Sequence, residues 1–148
     1  GDDARTKPAP DKWAKIEILG HLIDSSINNH RRFIVAISKD DLVFEGYDQE
    51  LWAEVQSYLG LDWSWLVEHW LRCNQHLANL LGRIPGEALT RQRQPHCLHK
   101  MAWKRVPEDV PTTLQYLIQD YLGHLEHHLR QILPEYEPVV MGTYEYSV

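Results

Sequence analysis

Apolar residues recur at helical spacing in three long stretches of the chain. The first runs from Trp13 to Ile37 without a proline, and its apolar positions are Ile16, Leu19, Ile23, Ile27, Ile34 and Ile37. The second follows Asp62, a residue suited to the amino-terminal cap of a helix, with apolar positions at Leu66, Trp70, Cys73, Leu77, Leu80 and Ile84. The third, from Pro111 to Leu133, places Leu114, Leu117, Ile118, Tyr121, Leu125, Leu129 and Ile132 on one face. Each pattern predicts a long amphipathic helix.

The segments between these stretches complete the predicted architecture. The stretch "YDQELWAEVQSYLG" (47–60) is typical of a short helix that ends at a glycine. Residues 87–111 contain three prolines and are predicted to be irregular. Since no strand pair or repeat is evident, we predict an all-α four-helix bundle. We expect a polar tail at residues 1–11, a single domain over 12–148, and a carboxyl-terminal tail (135–148) that is either packed in extended form or frayed.

Composition narrows the classes of function. The 148 residues are 43% hydrophobic and 24% charged, which fits one globular domain with a substantial core. The net charge of −6 disfavours a nucleic-acid partner, because binding phosphates requires a basic face. Since no apolar run could span a membrane and no signal peptide is recognisable, we expect a cytoplasmic protein without a membrane partner. Two cysteines, Cys73 and Cys97, make no disulfide framework.

The last predicted helix, "DYLGHLEHHLRQIL", holds three histidines within five residues. At about 100° per residue, His128 falls in the apolar stripe and His124 lies on its edge, whereas His127 turns toward solvent. Two histidines at positions i and i+4 can direct their rings at one metal ion. The alternative is a pair of half-buried histidines hydrogen-bonded to tyrosines or carbonyl groups. A catalytic metal site needs a third ligand, which would come from another helix.

The first helix offers two candidates for that ligand, His21 and His30. The apolar stripe favours His30, since His21 lies off it. However, Gly20 beside His21 would permit close approach of another helix. His69 and His76 flank the stripe of their own helix and are weaker candidates. From the residues alone, the choice between His21 and His30 stays open.

The segment "TRQRQPHCLHKMAWKR" (90–105) carries a second group of chemically active side chains. His96, Cys97 and His99 are closely spaced, but with no second cluster they make a weak zinc signal. The segment is also locally basic. It is either a solvated loop or the rim of a cleft, where its charge would attract an anionic substrate.

Two stretches resemble conserved helices of one family. The stretch "DKWAKIEILGHLIDSSINNHRRF" (11–33) is similar to the first, and "DYLGHLEHHLRQI" (120–132) to the last, of the DinB/YfiT-like superfamily of bacterial metalloenzymes. The resemblance implies a four-helix bundle that holds a divalent ion, nickel or zinc, on three histidines. Carried over by position, these ligands are His21, His124 and His128, and His127 is not a ligand. The short amino terminus departs from the family pattern.

The same resemblance implies a divalent-metal-dependent enzyme with thiol S-transferase-like or hydrolase-like activity. Its substrate would be a small molecule, such as a low-molecular-weight thiol. Asp24, one turn after His21, could orient a ligand or a water molecule, and Tyr121, one turn before His124, could line the cleft. We expect a homodimer, because four-helix bundles often pair. The alternatives are a non-catalytic metal-binding or stress-related interaction protein, and a binding protein for a hydrophobic ligand, suggested by six tryptophans.

Overall fold

A computed structural model describes residues 2–140 of the chain. It contains α1 Lys15–Ser38, α2 Gln49–Gln56, α3 Trp63–Leu81, α4 Gly86–Thr90, α5 Leu98–Met101 and α6 Leu114–Ile132. Two 3-10 turns accompany them, Asp2–Arg5 and Tyr58–Gly60. Within residues 2–140, extended pairing is limited to two isolated bridges, Leu42 with His96 and Arg93 with Thr112. The prediction of an all-α four-helix bundle is confirmed.

The four predicted helices correspond to α1, α2, α3 and α6. The carboxylate of Asp62 accepts a hydrogen bond from the Trp65 N–H, as predicted for the cap of α3. The last helix begins at Leu114 and not at Pro111, because the hydroxyl of Thr113 caps it by accepting from the Tyr116 N–H. The irregular segment 87–111 contains the short helices α4 and α5. No helix in residues 2–140 is both long and apolar enough to cross a membrane.

The helix α1 packs against both α3 and α6. Buried apolar side chains form two clusters, one containing Phe33, Leu77 and Leu114, the other Ile16, Leu66 and Ile132. Burial of these surfaces supplies the main driving force for folding. In α6, the histidines at 124–128 follow Tyr121 of the first cluster and precede Ile132 of the second. The histidines of α6 therefore lie between the parts of the helix that pack in the two apolar clusters.

The buried face of α1 differs from its predicted apolar stripe. The side chains of Ile27 and Ile34 are 50% and 46% exposed, so their predicted burial is wrong. In their place, Ser25, Asn29 and Arg32 are buried. This face borders a cavity lined with polar side chains, where hydrogen bonding offsets the cost of removing polar groups from water.

The ring of Tyr58 lies directly against the backbone of Gly20. A Cβ atom placed on Gly20 would lie 2.3 Å from Cδ2 and 2.4 Å from Cε2 of that ring. The hydroxyl of Tyr58 donates a 2.8 Å hydrogen bond to the buried carboxylate of Asp24, which fixes the ring in place. The sequence predicted the close approach of another helix at Gly20, whereas the group that approaches is an aromatic ring from a 3-10 turn. His21 follows in the chain, so this contact also positions its backbone.

We expect Gly20→Ala to lower the free energy of unfolding by about 2 kcal/mol. Overpacking against the Tyr58 ring costs about 3 kcal/mol, and the higher helix propensity of alanine returns about 1 kcal/mol. Gly82→Ala is the matched control, because its added Cβ would meet the nearest atom, Ala78 O, at an ordinary 3.6 Å. Urea denaturation of both variants measures the difference. Equal stability of the two variants would contradict the steric argument.

Both ends of the described chain contact the bundle. Arg5 donates hydrogen bonds to the carbonyls of Leu59 (3.2 Å) and Leu61 (2.7 Å). The predicted polar tail thus includes a packed helical turn, while the domain boundary at residue 12 stays a prediction. Near the other end, the carboxylate of Glu126 accepts hydrogen bonds from the backbone N–H groups of Val139 and Val140. Residues 141–148 of the predicted carboxyl-terminal tail lie outside the described residues.

Candidate metal centre

Three histidines from two helices converge in the interior. The Nε2 atom of His124 lies 3.4 Å from Nε2 of His21 and 3.1 Å from Nε2 of His128. The ring centroids of His21 and His128 are 5.0 Å apart. One nitrogen from each ring falls within 4.8 Å of the other two, and in residues 2–140 no other group of three or more His, Cys, Asp or Glu side chains meets this criterion. The structure therefore brings together the three residues to which the resemblance pointed.

The side chain of Gln131 sets the proton position on one of these rings. Its Oε1 atom, which can only accept, lies 2.7 Å from Nδ1 of His128. His128 must therefore carry its proton on Nδ1, which leaves the lone pair of Nε2 pointing toward the other two rings. The amide nitrogen of Gln131 lies 3.3 Å from Nε2 of His127. One glutamine thus links the ligand candidate to the neighbouring histidine.

Burial keeps the three imidazoles neutral. It lowers the pKa of His21 to about 4 and that of His124 to about 3, with a smaller contribution from the charge of His128 in both cases. Burial also lowers the pKa of His128, although its hydrogen bond with Gln131 acts in the opposite direction. At neutral pH each ring therefore offers an unprotonated nitrogen. A metal ion requires ligands in this state.

The three nitrogen atoms fit a transition-metal ion. Two nitrogens bound about 2.1 Å from one ion at tetrahedral or octahedral angles lie roughly 3.0–3.4 Å apart. The two Nε2 distances to His124 fall in or close to this range. Imidazole donors suit zinc, nickel, copper and iron, whereas calcium and magnesium prefer oxygen. His21, His124 and His128 could therefore hold a transition metal by three of its coordination positions.

Two cavities border the cluster. A cavity of about 590 Å³ is lined by His21 and His124, and a second of about 580 Å³ is lined by His128 and Gln131. The side chain of Gln49 borders both cavities. The ring of Trp13 borders the second and packs on His21 with centroids 5.1 Å apart. A small molecule could thus approach the three nitrogens from either cavity.

A family model places the chain among known proteins. The model described as the DinB superfamily matches residues 1–132. The chain belongs to the DinB superfamily. This membership confirms the resemblance carried by the two histidine-containing helices.

Among solved structures, this DinB-superfamily chain is similar to YfiT from Bacillus subtilis. That protein is described as "a probable metal-dependent hydrolase with an unusual four-helix bundle topology". The TM-score is 0.72 at 20% sequence identity, over 90% of this chain and 70% of YfiT. At this identity the likeness concerns the fold. No curated protein matches the chain at a significant level.

The other histidines of this DinB-superfamily chain are not part of the cluster, although the ring of His127 lies 5.1 Å from that of His128. The ring of His30, favoured by the apolar stripe, stacks on His76 with centroids 4.8 Å apart. His127 packs against Trp103, and Nε2 of His69 lies 3.9 Å from Sγ of Cys73. The structure therefore places His21, and not His30, beside the pair on α6. The apolar stripe favoured His30 because it predicts burial of the apolar face of α1, whereas the structure buries a polar face.

The weak zinc signal around Cys97 is not supported by the structure. Nε2 of His96 lies 2.8 Å from the carbonyl oxygen of Val110, and Sγ of Cys97 lies 3.2 Å from that of Leu42. Nε2 of His99 lies 3.8 Å from the carboxylate of Glu108. Both ring nitrogens of His99 are buried without a hydrogen-bond partner among residues 2–140. The three side chains do not converge on a common point.

Asp24 and Tyr121 both lie buried near the cluster but have other hydrogen-bond partners. The carboxylate of Asp24 accepts 2.8 Å hydrogen bonds from Gln56 and Tyr58, and burial raises its pKa. The hydroxyl of Tyr121 donates to Asn74 at 3.1 Å, and its side chain lines the cavity beside His124. Asp24 thus anchors the 3-10 turn behind Gly20. The proposed roles of both residues toward a bound ligand stay predictions.

Sequence reasoning missed two residues that contact the cluster and a third that lines the cavity beside it. Gln131 lies three positions after His128, a spacing that brings side chains together on a helix and could have indicated the contact. Trp13 packs on His21 from outside α1, and helical periodicity carries no information about that contact. Arg32 was not predicted to be buried, because a charged residue on a helix is ordinarily assigned to the solvent face.

Proposed function

We propose that this protein is a divalent-metal-dependent enzyme that acts on small molecules, with nickel or zinc held by His21, His124 and His128. The convergence of three neutral imidazole nitrogens beside two cavities supports this proposal above all. Three protein ligands and an accessible remaining position are typical of catalytic metal sites. Membership of the DinB superfamily and the description of YfiT support the same conclusion.

The bound ion would supply a Lewis acid that lowers the pKa of water or of a thiol. Hydroxide would serve a hydrolase-like reaction, and thiolate a thiol S-transferase-like reaction with a low-molecular-weight thiol. The chain's own residues prepare the site. Gln131 holds His128 with its Nε2 lone pair directed inward, and Trp13 packs on the ring of His21.

Metal binding by the purified protein tests this proposal. The chain is refolded without metal and titrated with nickel, zinc and manganese in a calorimeter. We expect one nickel or zinc ion per chain, and weaker binding of manganese, which prefers oxygen ligands. The loaded protein is then assayed for hydrolysis of small esters and amides and for conjugation of thiols to electrophiles. A failure to bind any transition metal stoichiometrically would overturn the proposal.

An interaction protein remains the second candidate, and one observation favours it. Several large apolar side chains on α2 and α3 are exposed, including Val55 (73%), Trp65 (56%) and Leu51 (52%). Exposed apolar surface on neighbouring elements is a common feature of protein interfaces. The predicted homodimer could use it, and sedimentation equilibrium would measure this association. Metal binding without turnover on any tested substrate class would favour the non-catalytic role.

A further inference from the structure

One face of α1 forms a polar wall along the cavity of about 590 Å³. The residues that line it are His21, Ser25, Asn29 and Arg32, spaced four, four and three positions apart, so they share one side of the helix. With a rise of about 1.5 Å per residue, the Cα atoms of His21 and Arg32 are roughly 16 Å apart. The wall therefore connects the histidine cluster to a buried cation at its other end.

The guanidinium of Arg32 is buried but sparsely bonded. The residue is 7% exposed, and its nitrogens donate one short hydrogen bond, to the carbonyl of Glu45 at 3.0 Å, and one long bond, to Oδ1 of Asn29 at 3.5 Å. In the described part of the chain, no carboxylate forms an ion pair with it. A buried charge is costly unless paired, so this cation is poorly compensated by the protein alone.

Arg93 shows how this fold satisfies an arginine with a structural role. Its guanidinium, 2% exposed, donates to the carbonyls of Lys39, Arg91, Ala36 and Ala88 at 2.9–3.2 Å. Those bonds tie the end of α1 to α4 and use the donors of the side chain. Arg32 has half as many acceptors and lines the cavity of about 590 Å³, whose lining does not include Arg93. The difference indicates that N–H donors of the Arg32 guanidinium are available to a ligand in this cavity.

The other charged groups around this cavity are consistent with an anionic ligand. Exposed Lys100, from the basic segment 90–105, also lines it. The one carboxylate in the lining, that of Asp120, accepts hydrogen bonds from the backbone N–H groups of Trp103 (2.9 Å) and Lys104 (2.8 Å). The phenol of Tyr47 is neutral at physiological pH, since burial raises its pKa to about 12. The cavity thus combines two cations with one carboxylate that is already hydrogen-bonded.

We infer that Arg32 binds the oxyanion of a small-molecule substrate, a carboxylate or a phosphate, whose body lies along the α1 wall and whose reactive end reaches the histidine cluster. This inference rests on the proposed function for the assignment of the reactive end. A guanidinium binds both oxyanions through two parallel N–H donors. Phe44, Trp103 and Tyr121 supply apolar surface for the body of the molecule. The substrate is therefore an extended anion with an apolar middle.

Nuclear magnetic resonance of the metal-free, ¹⁵N-labelled protein tests this inference, because without metal a carboxylate cannot bind an ion at the histidines. The probes are phenyl phosphate, 4-phenylbutyrate and, as the neutral partner of the latter, 4-phenylbutyramide. We expect saturable binding of at least one anionic probe, with a shift of the Arg32 Nε–Hε resonance. The amide should bind about tenfold more weakly or not at all. The preferred anion identifies the phosphate or carboxylate class.

Arg32→Gln should weaken binding of the anionic probe by about tenfold or more. Arg31→Gln is the matched control, because it removes the same charge from the exposed side of the same helix and should leave binding unchanged. If Arg32→Gln does not fold, Arg32→Lys retains the charge but loses the paired donors and should show an intermediate loss. Absence of saturable binding of both anions at millimolar concentration, or equal binding of the amide, would overturn the inference.

The metal titration separates this inference from the proposed function. Arg32→Gln should bind nickel or zinc as the unmodified protein does, since Arg32 is not part of the cluster. Arg32-dependent anion binding in a protein that takes up no metal would support the anion site and reject the metal enzyme. Normal metal uptake without Arg32-dependent anion binding would reject the anion site and leave the proposed function standing.

Discussion

Replacing His124 with alanine should weaken binding of nickel or zinc by more than about a hundredfold. Its Nε2 atom is central in the cluster, within 3.4 Å of Nε2 of His21 and 3.1 Å of Nε2 of His128. Without it, two protein ligands remain, fewer than the three typical of a catalytic site. Calorimetric titration of the metal-free variant measures the loss. Circular dichroism establishes that the variant is folded before the comparison is made.

Two matched variants test whether the loss of affinity is specific to the proposed ligands, because each removes a histidine outside the cluster. His30→Ala removes a ring from the same helix as His21, and His127→Ala removes the neighbour of His128. Neither should change metal affinity by more than a few fold. Gln131→Leu should have an intermediate effect, about tenfold to a hundredfold, because it removes the acceptor that orients His128. An equal loss of affinity in His30→Ala and His124→Ala would contradict the assignment of ligands.

The parts of the fold that the sequence predicts correctly are those governed by local periodicity. The apolar positions predicted for α3 and α6 are buried or half-buried, as helical geometry requires, although α6 also buries Asp120 and Glu126. The pair of histidines on α6 is likewise local, because a spacing of four residues brings two rings onto one side of a helix. The cap at Asp62 depends on a hydrogen bond three residues along the chain.

The parts that the sequence could not predict depend on contacts between distant residues. Periodicity selects the most apolar face of α1, but the tertiary structure exposes Ile27 and Ile34 and buries Arg32. Which face of α1 is buried also decides whether His21 or His30 lies beside the histidines of α6. The face that carries His21 borders a cavity that forms only when α1, α6 and the segment 97–103 assemble. Family resemblance pointed to His21, which the structure places beside His124 and His128, whereas periodicity pointed to His30.

The cluster that could hold a metal is a source of instability in acid when no metal is bound. In the unfolded chain a histidine has a pKa of about 6.5, whereas in the folded protein burial lowers that of His21 to about 4 and that of His124 to about 3. Between these limits the unfolded state binds more protons than the folded state. Stability therefore falls as pH decreases below about 6.5 and is retained in full above it.

We expect the metal-free protein to lose about 5 kcal/mol of stability between pH 7.5 and 4.5 from these two groups, at about 1.4 kcal/mol per pH unit for each group below its unfolded pKa. Urea denaturation in the presence of a chelator measures the loss. The His124→Ala variant should lose about half as much free energy of unfolding over this pH range. Of the two histidines it retains only His21, so its unfolded state takes up one proton fewer. Carboxylates titrate alike in both proteins and cancel in the difference. Parallel pH profiles for the two proteins would show that His124 is not held neutral by burial.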